Sequence, residues 1–165
     1  MSDYPPMGPN DNECGITVPI GTALIAISGV TGLAVTLRSV VAFTDGLAVE
    51  ADLLAREPAA SNKWQDVMTA SGADGLQVGF AFADEPTLTP ASAQNLDSTP
   101  IWLLHRAGGG DKRFSITWWM APYPPGTHLI MGMEWKRAGI ERRAVAIDVP
   151  SPADLWERIV KVWEQ

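Results

Sequence analysis

The stretch R113-FSITWWMAPYPPGTHLIMGMEW-135 decides how the chain folds, because both halves alternate apolar and polar residues with a period of two. Phe114, Ile116, Trp118 and Met120 share one face of a strand, and Leu129, Met131, Met133 and Trp135 share one face of the next. Alternation of this kind marks half-buried strands, since successive side chains point to opposite faces. The intervening Ala121-Pro122-Tyr123-Pro124-Pro125-Gly126 cannot continue a strand interior, because proline brings no N–H to a ladder. The simplest reading is a hairpin that pairs Met120 with Leu129, Trp118 with Met131, Ile116 with Met133 and Phe114 with Trp135.

Working outward, the same period recurs. Leu33, Val35, Leu37, Val41 and Phe43 alternate with Thr36 and Arg38, and Leu47, Val49, Ala51 and Leu53 alternate with Glu50 and Asp52. A three-residue turn at Thr44-Asp45-Gly46 pairs Phe43 with Leu47, Val41 with Val49 and Leu37 with Leu53. It also sets Arg38 against Asp52 on the wet face, a favourable cross-strand pair. Ile16–Ile27 reads as a first strand or a bent pair. Leu76, Val78, Phe80 and Phe82 make another strand, Ile101–Leu104 a short one before a turn at Ala107–Asp111, and Arg142–Val149 the last, after Gly139. Pro58–Gly75 reads as a polar loop with a helical turn around Trp64–Met68. Asp84–Pro100 is a second long loop, where Pro86, Pro90 and Pro100 oppose regular structure.

The C-terminal segment changes period. Ser151-Pro152-Ala153-Asp154 offers an N-cap, a proline at the first helical position and an acid in the first turn. Leu155, Trp156, Ile159, Val160, Val162 and Trp163 follow at helical spacing, which predicts a helix over 151–164 packed on the sheet. The expected architecture is therefore mostly β: a single antiparallel β-sandwich domain of about seven strands over 14–165, closed by one helix and preceded by a flexible tail, residues 1–13. A single curved sheet with the helix in its concave face is the alternative. No strand–helix alternation is present, which excludes a doubly wound fold.

Composition bounds the function. The chain has 165 residues and seven Trp, enough apolar material for a core without cross-links. Its net charge of −7 argues against a generic nucleic-acid or anionic-membrane binder. The charge is uneven, however. Residues 106–143 hold seven of the twelve Lys and Arg but three of the nineteen Asp and Glu, a local balance of +4 that suits an acidic partner. The plainer reading is solvated charge at strand ends and turns. The uncharged stretch Ile16–Leu37 is long enough to span a bilayer. Its proline, glycines and β-branched residues instead suit two strands broken at Gly29–Gly32. One cysteine, Cys14, permits no internal disulfide, and no basic leader precedes the first strand. A cytoplasmic location is the default.

At Ala107–Glu141 the chain resembles a group of uncharacterised actinobacterial proteins. The shared pattern is the Gly108-Gly109-Gly110 turn, the Trp118-Trp119 strand, the Pro-Pro-Gly turn at 124–126, Glu134-Trp135 and Gly139-Ile140-Glu141. The resemblance implies a shared fold and carries no activity.

No motif specifies catalysis, a cofactor or a metal site. Cys14 with His105 or His128 lacks any feature that would activate a thiolate. Asp84 and Glu85, with Asp45 or Asp148, have no metal-ligand spacing, and paired carboxylates for a hydrolase need a convergence that sequence does not supply. Gly108-Gly109-Gly110-Asp111-Lys112-Arg113 lacks the spacing and the following helix of a phosphate loop. The surplus aromatics are more informative. Trp118 and Trp135 belong to the core face, whereas Trp119 points the other way, beside Ile130 in the expected register and near Tyr123 and Pro124. Either these form an exposed apolar patch, or the helix covers that face with Trp156 and Trp163 on Trp119. The expectation is a non-enzymatic module binding a protein partner or a second copy of itself, with Trp119, Tyr123, Ile130, Lys112 and Arg113 as candidate contacts. A small-ligand or carbohydrate site stacked on aromatic rings, and a paired-carboxylate hydrolase, are the alternatives.

Overall fold

The computed structural model describes residues 8–9, 13–20, 24–58, 64, 75–82, 89–90, 101–124 and 126–161. Strands β4 (Leu33–Phe43) and β5 (Gly46–Ala55) form the hairpin expected from their alternation, but in a different register. Phe43 pairs with Gly46 across a two-residue turn, Thr44-Asp45, and Ala42 with Leu47. A bulge then absorbs Arg38, so that Leu37 faces Ala51 and Val35 faces Leu53. The extra residue resets the side-chain phase. Leu33, Val35 and Leu37 point into the core before the bulge, and Val40 and Ala42 after it. Val41 and Phe43, expected on the core face, lie on the opposite one, and Thr36 rather than Arg38 stands opposite Asp52.

Around this hairpin a six-stranded sheet is built. β2 (Ile16–Thr17) and β3 (Leu24–Ile27) both pair with β4. β5 continues to β9 (Arg113–Ala121), and β9 to β8 (Ile101–Gly109). β8 runs through the first two glycines of the Gly-rich segment, and the turn tightens at Gly110–Lys112, with the Gly110 amide donating to the Arg113 carbonyl at 2.8 Å. Gly109 is required here, because a Cβ would lie 2.2 Å from the Arg113 carbonyl oxygen.

The second sheet has the order β11-β10-β6-β7, with β6 (Leu76–Phe82), β7 (Thr89–Pro90), β10 (His128–Trp135) and β11 (Ile140–Asp148). Pro90 enters a strand at the sheet edge, where a missing N–H costs no ladder bond. The expected hairpin between β9 and β10 is corrected: β9 pairs with β5 and β8, and β10 with β6 and β11. The segment after Ala121 crosses from one sheet to the other, through a cis Ala121–Pro122 bond. Phe114, Ile116, Trp118 and Met120 still join Leu129, Met131, Met133 and Trp135 in one buried cluster. They meet face to face across the interior, as facing sheets do at about 10 Å, rather than side by side.

Helix α1 (Pro152–Arg158) starts as the sequence predicts, with the Ser151 hydroxyl accepting from the Asp154 amide at 3.2 Å. It is shorter than expected. The chain returns to extended backbone at Ile159, and β12 (Val160–Lys161) pairs with β1 (Glu13–Cys14) in a two-stranded sheet. Only Leu155 of the helix is buried, so the expected wide apolar stripe is not what docks it. Glu13, placed at the end of the expected tail, pairs with Lys161 and accepts hydrogen bonds from the Thr44 amide and hydroxyl. The uncharged stretch 16–37 contributes β2, β3 and the start of β4, and among the described residues no helix is long and apolar enough to cross a membrane.

Candidate interaction surface

The five residues singled out from sequence do not converge. Trp119 lies on the outer face of the six-stranded sheet yet is 0% exposed. The Phe43 ring meets it edge-on at 5.7 Å, and Gly46 is so close that a Cβ there would sit 2.5 Å from the indole. An exposed patch at Trp119, one of the two alternatives, is therefore not formed. Trp156 does not cover that face, being 61% exposed with the Lys161 ammonium 6.0 Å from its ring centre. Tyr123 is half-buried and donates its phenol to the Pro150 carbonyl at 2.7 Å, and burial raises its pKa well above the ordinary phenol value. Ile130 is half-buried on the outer face of the other sheet, on the far side of the sandwich from Trp119. The expected grouping failed because it assumed that β9 and β10 are neighbours.

Lys112 and Arg113 have a different setting. They belong to the end of the sandwich where the β3–β4, β8–β9 and β10–β11 turns and the end of β5 come together. Backbone hydrogen bonds tie these pieces: Ala55 donates to the Lys112 carbonyl at 2.9 Å, and Arg56 to the Gly32 carbonyl at 2.9 Å. The Thr31 hydroxyl donates to the Ala138 carbonyl at 2.7 Å, joining the two sheets at this end. Arg56, Lys112, Arg113, Lys136, Arg137 and Arg142 are all exposed there, against Glu57, Asp111 and Glu141. From the same end project Ile27, 62% exposed, and Val30, 96% exposed.

Sequence reading found the basic bias of 106–143 but missed Ile27, Val30 and Arg56. The available signal was Ser28-Gly29-Val30-Thr31-Gly32, a β-branched residue inside a turn where polar residues are the rule. Its neighbours fix it in place. Gly32 has φ +65°, the Gly32 amide donates to the Ser28 carbonyl at 3.1 Å, and the Thr31 amide donates to the Ser28 hydroxyl at 3.2 Å. Val30 is thereby held outward by a short, internally bonded turn.

Several other polar groups are paired locally, whereas one Asp45 carboxylate oxygen and the Trp135 indole N–H are buried without a hydrogen-bond partner among the described residues. Asp52 is 3% exposed on the outer face of the six-stranded sheet. It accepts from the Ser115 hydroxyl at 2.6 Å and lies 3.4 Å from Arg113 and 4.0 Å from Arg38. Arg38 also reaches Glu50 at 3.3 Å. His128 and Asp148 form an exposed cross-strand pair at 2.6 Å. Cys14 is exposed in β1. Among the described residues no three His, Cys, Asp or Glu side chains are grouped to hold a metal. Asp84, Glu85 and Trp163 lie outside the described residues.

Comparison with models of known protein families gives no match, and no similar protein is found among curated proteins or solved structures.

Proposed function

We propose that the chain is a non-enzymatic interaction module that docks an anionic partner against the turn-rich end of its sandwich. The observation that carries this reading is the meeting of two outward aliphatic side chains, Ile27 and Val30, with exposed bases from three separate parts of an otherwise acidic chain. Exposed large aliphatics need no explanation singly, but a pair projecting among like charges is a feature of contact surfaces. The bases outnumber Glu57, Asp111 and Glu141 at this end, even with Arg113 offset by Asp52, so an excess of positive charge remains for an anionic surface to neutralise. The fields of the remote acidic groups are damped, because the Debye length is about 8 Å at physiological salt.

The test is retention on immobilised polyglutamate at low salt. The wild-type chain is expected to bind and to elute as salt is raised, although its net charge is −7. The double variant Lys112→Gln, Lys136→Gln should elute markedly earlier with an unchanged circular dichroism spectrum, both side chains being exposed. Flow-through of the wild type, or equal retention of the two proteins, overturns the reading.

A further inference from the structure

From the shape and chemistry of this end, which rests on the docking reading above, we infer that the anionic partner is a lipid bilayer surface and that Val30 and Ile27 enter its headgroup–hydrocarbon boundary. Three observations choose a bilayer over a folded partner. First, the tip is open at its glycines: a Cβ added at Gly29, Gly108 or Gly110 would meet nothing within 4 Å. Second, among the described residues this end presents no exposed aromatic anchor of the kind that dominates protein–protein contacts. Its described aromatics, Trp64, Phe114 and Trp135, are buried; Trp64 and Phe114 stack with centroids 5.7 Å apart, and the Trp64 indole N–H donates to the Gly110 carbonyl at 2.9 Å. Third, aliphatic points beside a collar of Lys and Arg match the layering of a membrane surface, with phosphates outermost and acyl chains beneath.

The tip is also pre-set for such contact. The Thr31 bond to Ala138 fixes the β3–β4 turn to the β10–β11 turn that carries Lys136 and Arg137. Apolar points and bases thus approach a surface together, without a loop having to order first. Lysine at positions 112 and 136 can lay its aliphatic stem along the interface while its ammonium stays at phosphate level. The overall acidity of the chain argues against a generic pull toward anionic membranes, and the attraction inferred here is local to this end. Juxtaposed bases act within a Debye length of the surface, and the end of the molecule bearing Asp45, Asp148 and Asp154 is turned away. The mode is docking on the surface, with the β-sandwich remaining outside it.

The experiment is co-sedimentation of the full chain with vesicles of phosphatidylcholine alone and of phosphatidylcholine with phosphatidylserine. Tryptophan emission of a Val30→Trp variant is followed in parallel. Binding to the phosphatidylserine vesicles only is expected, weakening with salt. Each of Lys112→Gln and Lys136→Gln should lower the affinity about fivefold, the loss expected for one base near an anionic leaflet. Val30→Asp should abolish co-sedimentation, and the added indole of Val30→Trp should shift to the blue on phosphatidylserine vesicles. At 96% exposure, position 30 accepts either change without loss of fold. Retention on polyglutamate with no vesicle binding overturns the lipid inference while leaving the docking reading intact, and points to an acidic polypeptide. Failure on both removes both. Vesicle binding that is indifferent to Val30→Asp, with no blue shift from Val30→Trp, overturns insertion of the tip.

Discussion

Phe80 and Trp118 belong to different sheets, yet their rings meet edge to face with centroids 6.0 Å apart and planes at 67°. Phe80 sits on β6 and Trp118 on β9, so the contact spans the interior and marks where the two sheets face each other. Both side chains are buried, at 1% and 4% exposure. The geometry is the one that ring quadrupoles favour.

That contact gives the first prediction. Trp118→Ala should cost about 3–5 kcal/mol, the range for deleting a large buried aromatic, and Phe80→Ala a similar amount. The double variant should lose less than the sum, because the two rings share one contact. Urea unfolding midpoints of the four proteins measure this. Strict additivity would mean that the rings do not meet.

The second prediction concerns the buried carboxylate of Asp52. It accepts from Ser115 and is flanked by two arginines that are themselves largely exposed, at 65% for Arg113 and 53% for Arg38. The hydroxyl bond carries more than the ion pairs, because exposed guanidinium groups are screened by solvent. Ser115→Ala should destabilise by about 1.5–3 kcal/mol, as expected for a hydrogen bond to a charged acceptor. Arg38→Ala should cost less than about 1 kcal/mol. Thermal unfolding at low and high salt separates the two, since only the arginine contribution should fade with salt.

The third concerns alkaline pH. Burial holds the Tyr123 phenol protonated well above the ordinary value of about 10. In the unfolded chain this phenol ionises near pH 10, while in the folded chain it does not, so the unfolded state gains relative stability above that pH. Tyr123 therefore contributes fully below about pH 10, and stability falls as pH rises from there toward the folded pKa. Tyr123→Phe should lose about 1 kcal/mol at neutral pH, with the bond to Pro150, and should show a shallower alkaline decline. Phenolate absorbance checks the assignment. The sequence contains two tyrosines, and the folded wild type should show a strongly delayed titration step that Tyr123→Phe lacks.

Much of the fold was legible because strand alternation is a local property. The inward sets Leu47–Leu53, Phe114–Met120 and Leu129–Trp135 were read directly, and all are buried as read. So was the start of the helix, where Ser151, Pro152 and Asp154 act within one turn. The basic bias of 106–143 was legible as well, since it needs only counting.

What alternation leaves open is which strand lies beside which. An apolar face is satisfied equally by a neighbour in its own sheet and by a facing strand across the core, so β9 and β10 looked like a hairpin while lying in opposite sheets. A bulge is equally silent in the pattern. Absorbing Arg38 costs one residue of register, keeps every core position apolar, and turns Val41 and Phe43 outward, where Phe43 meets Trp119. Sequence by itself thus determined most of the longer strands, the inward residues of β5, β9 and β10, and the helix cap, because those depend on a few adjacent residues. Tertiary structure alone decided the partners: Trp119 was buried, Trp156 left exposed, and Val30 brought among bases from distant turns, because backbone pairing and packing join residues that no local period relates.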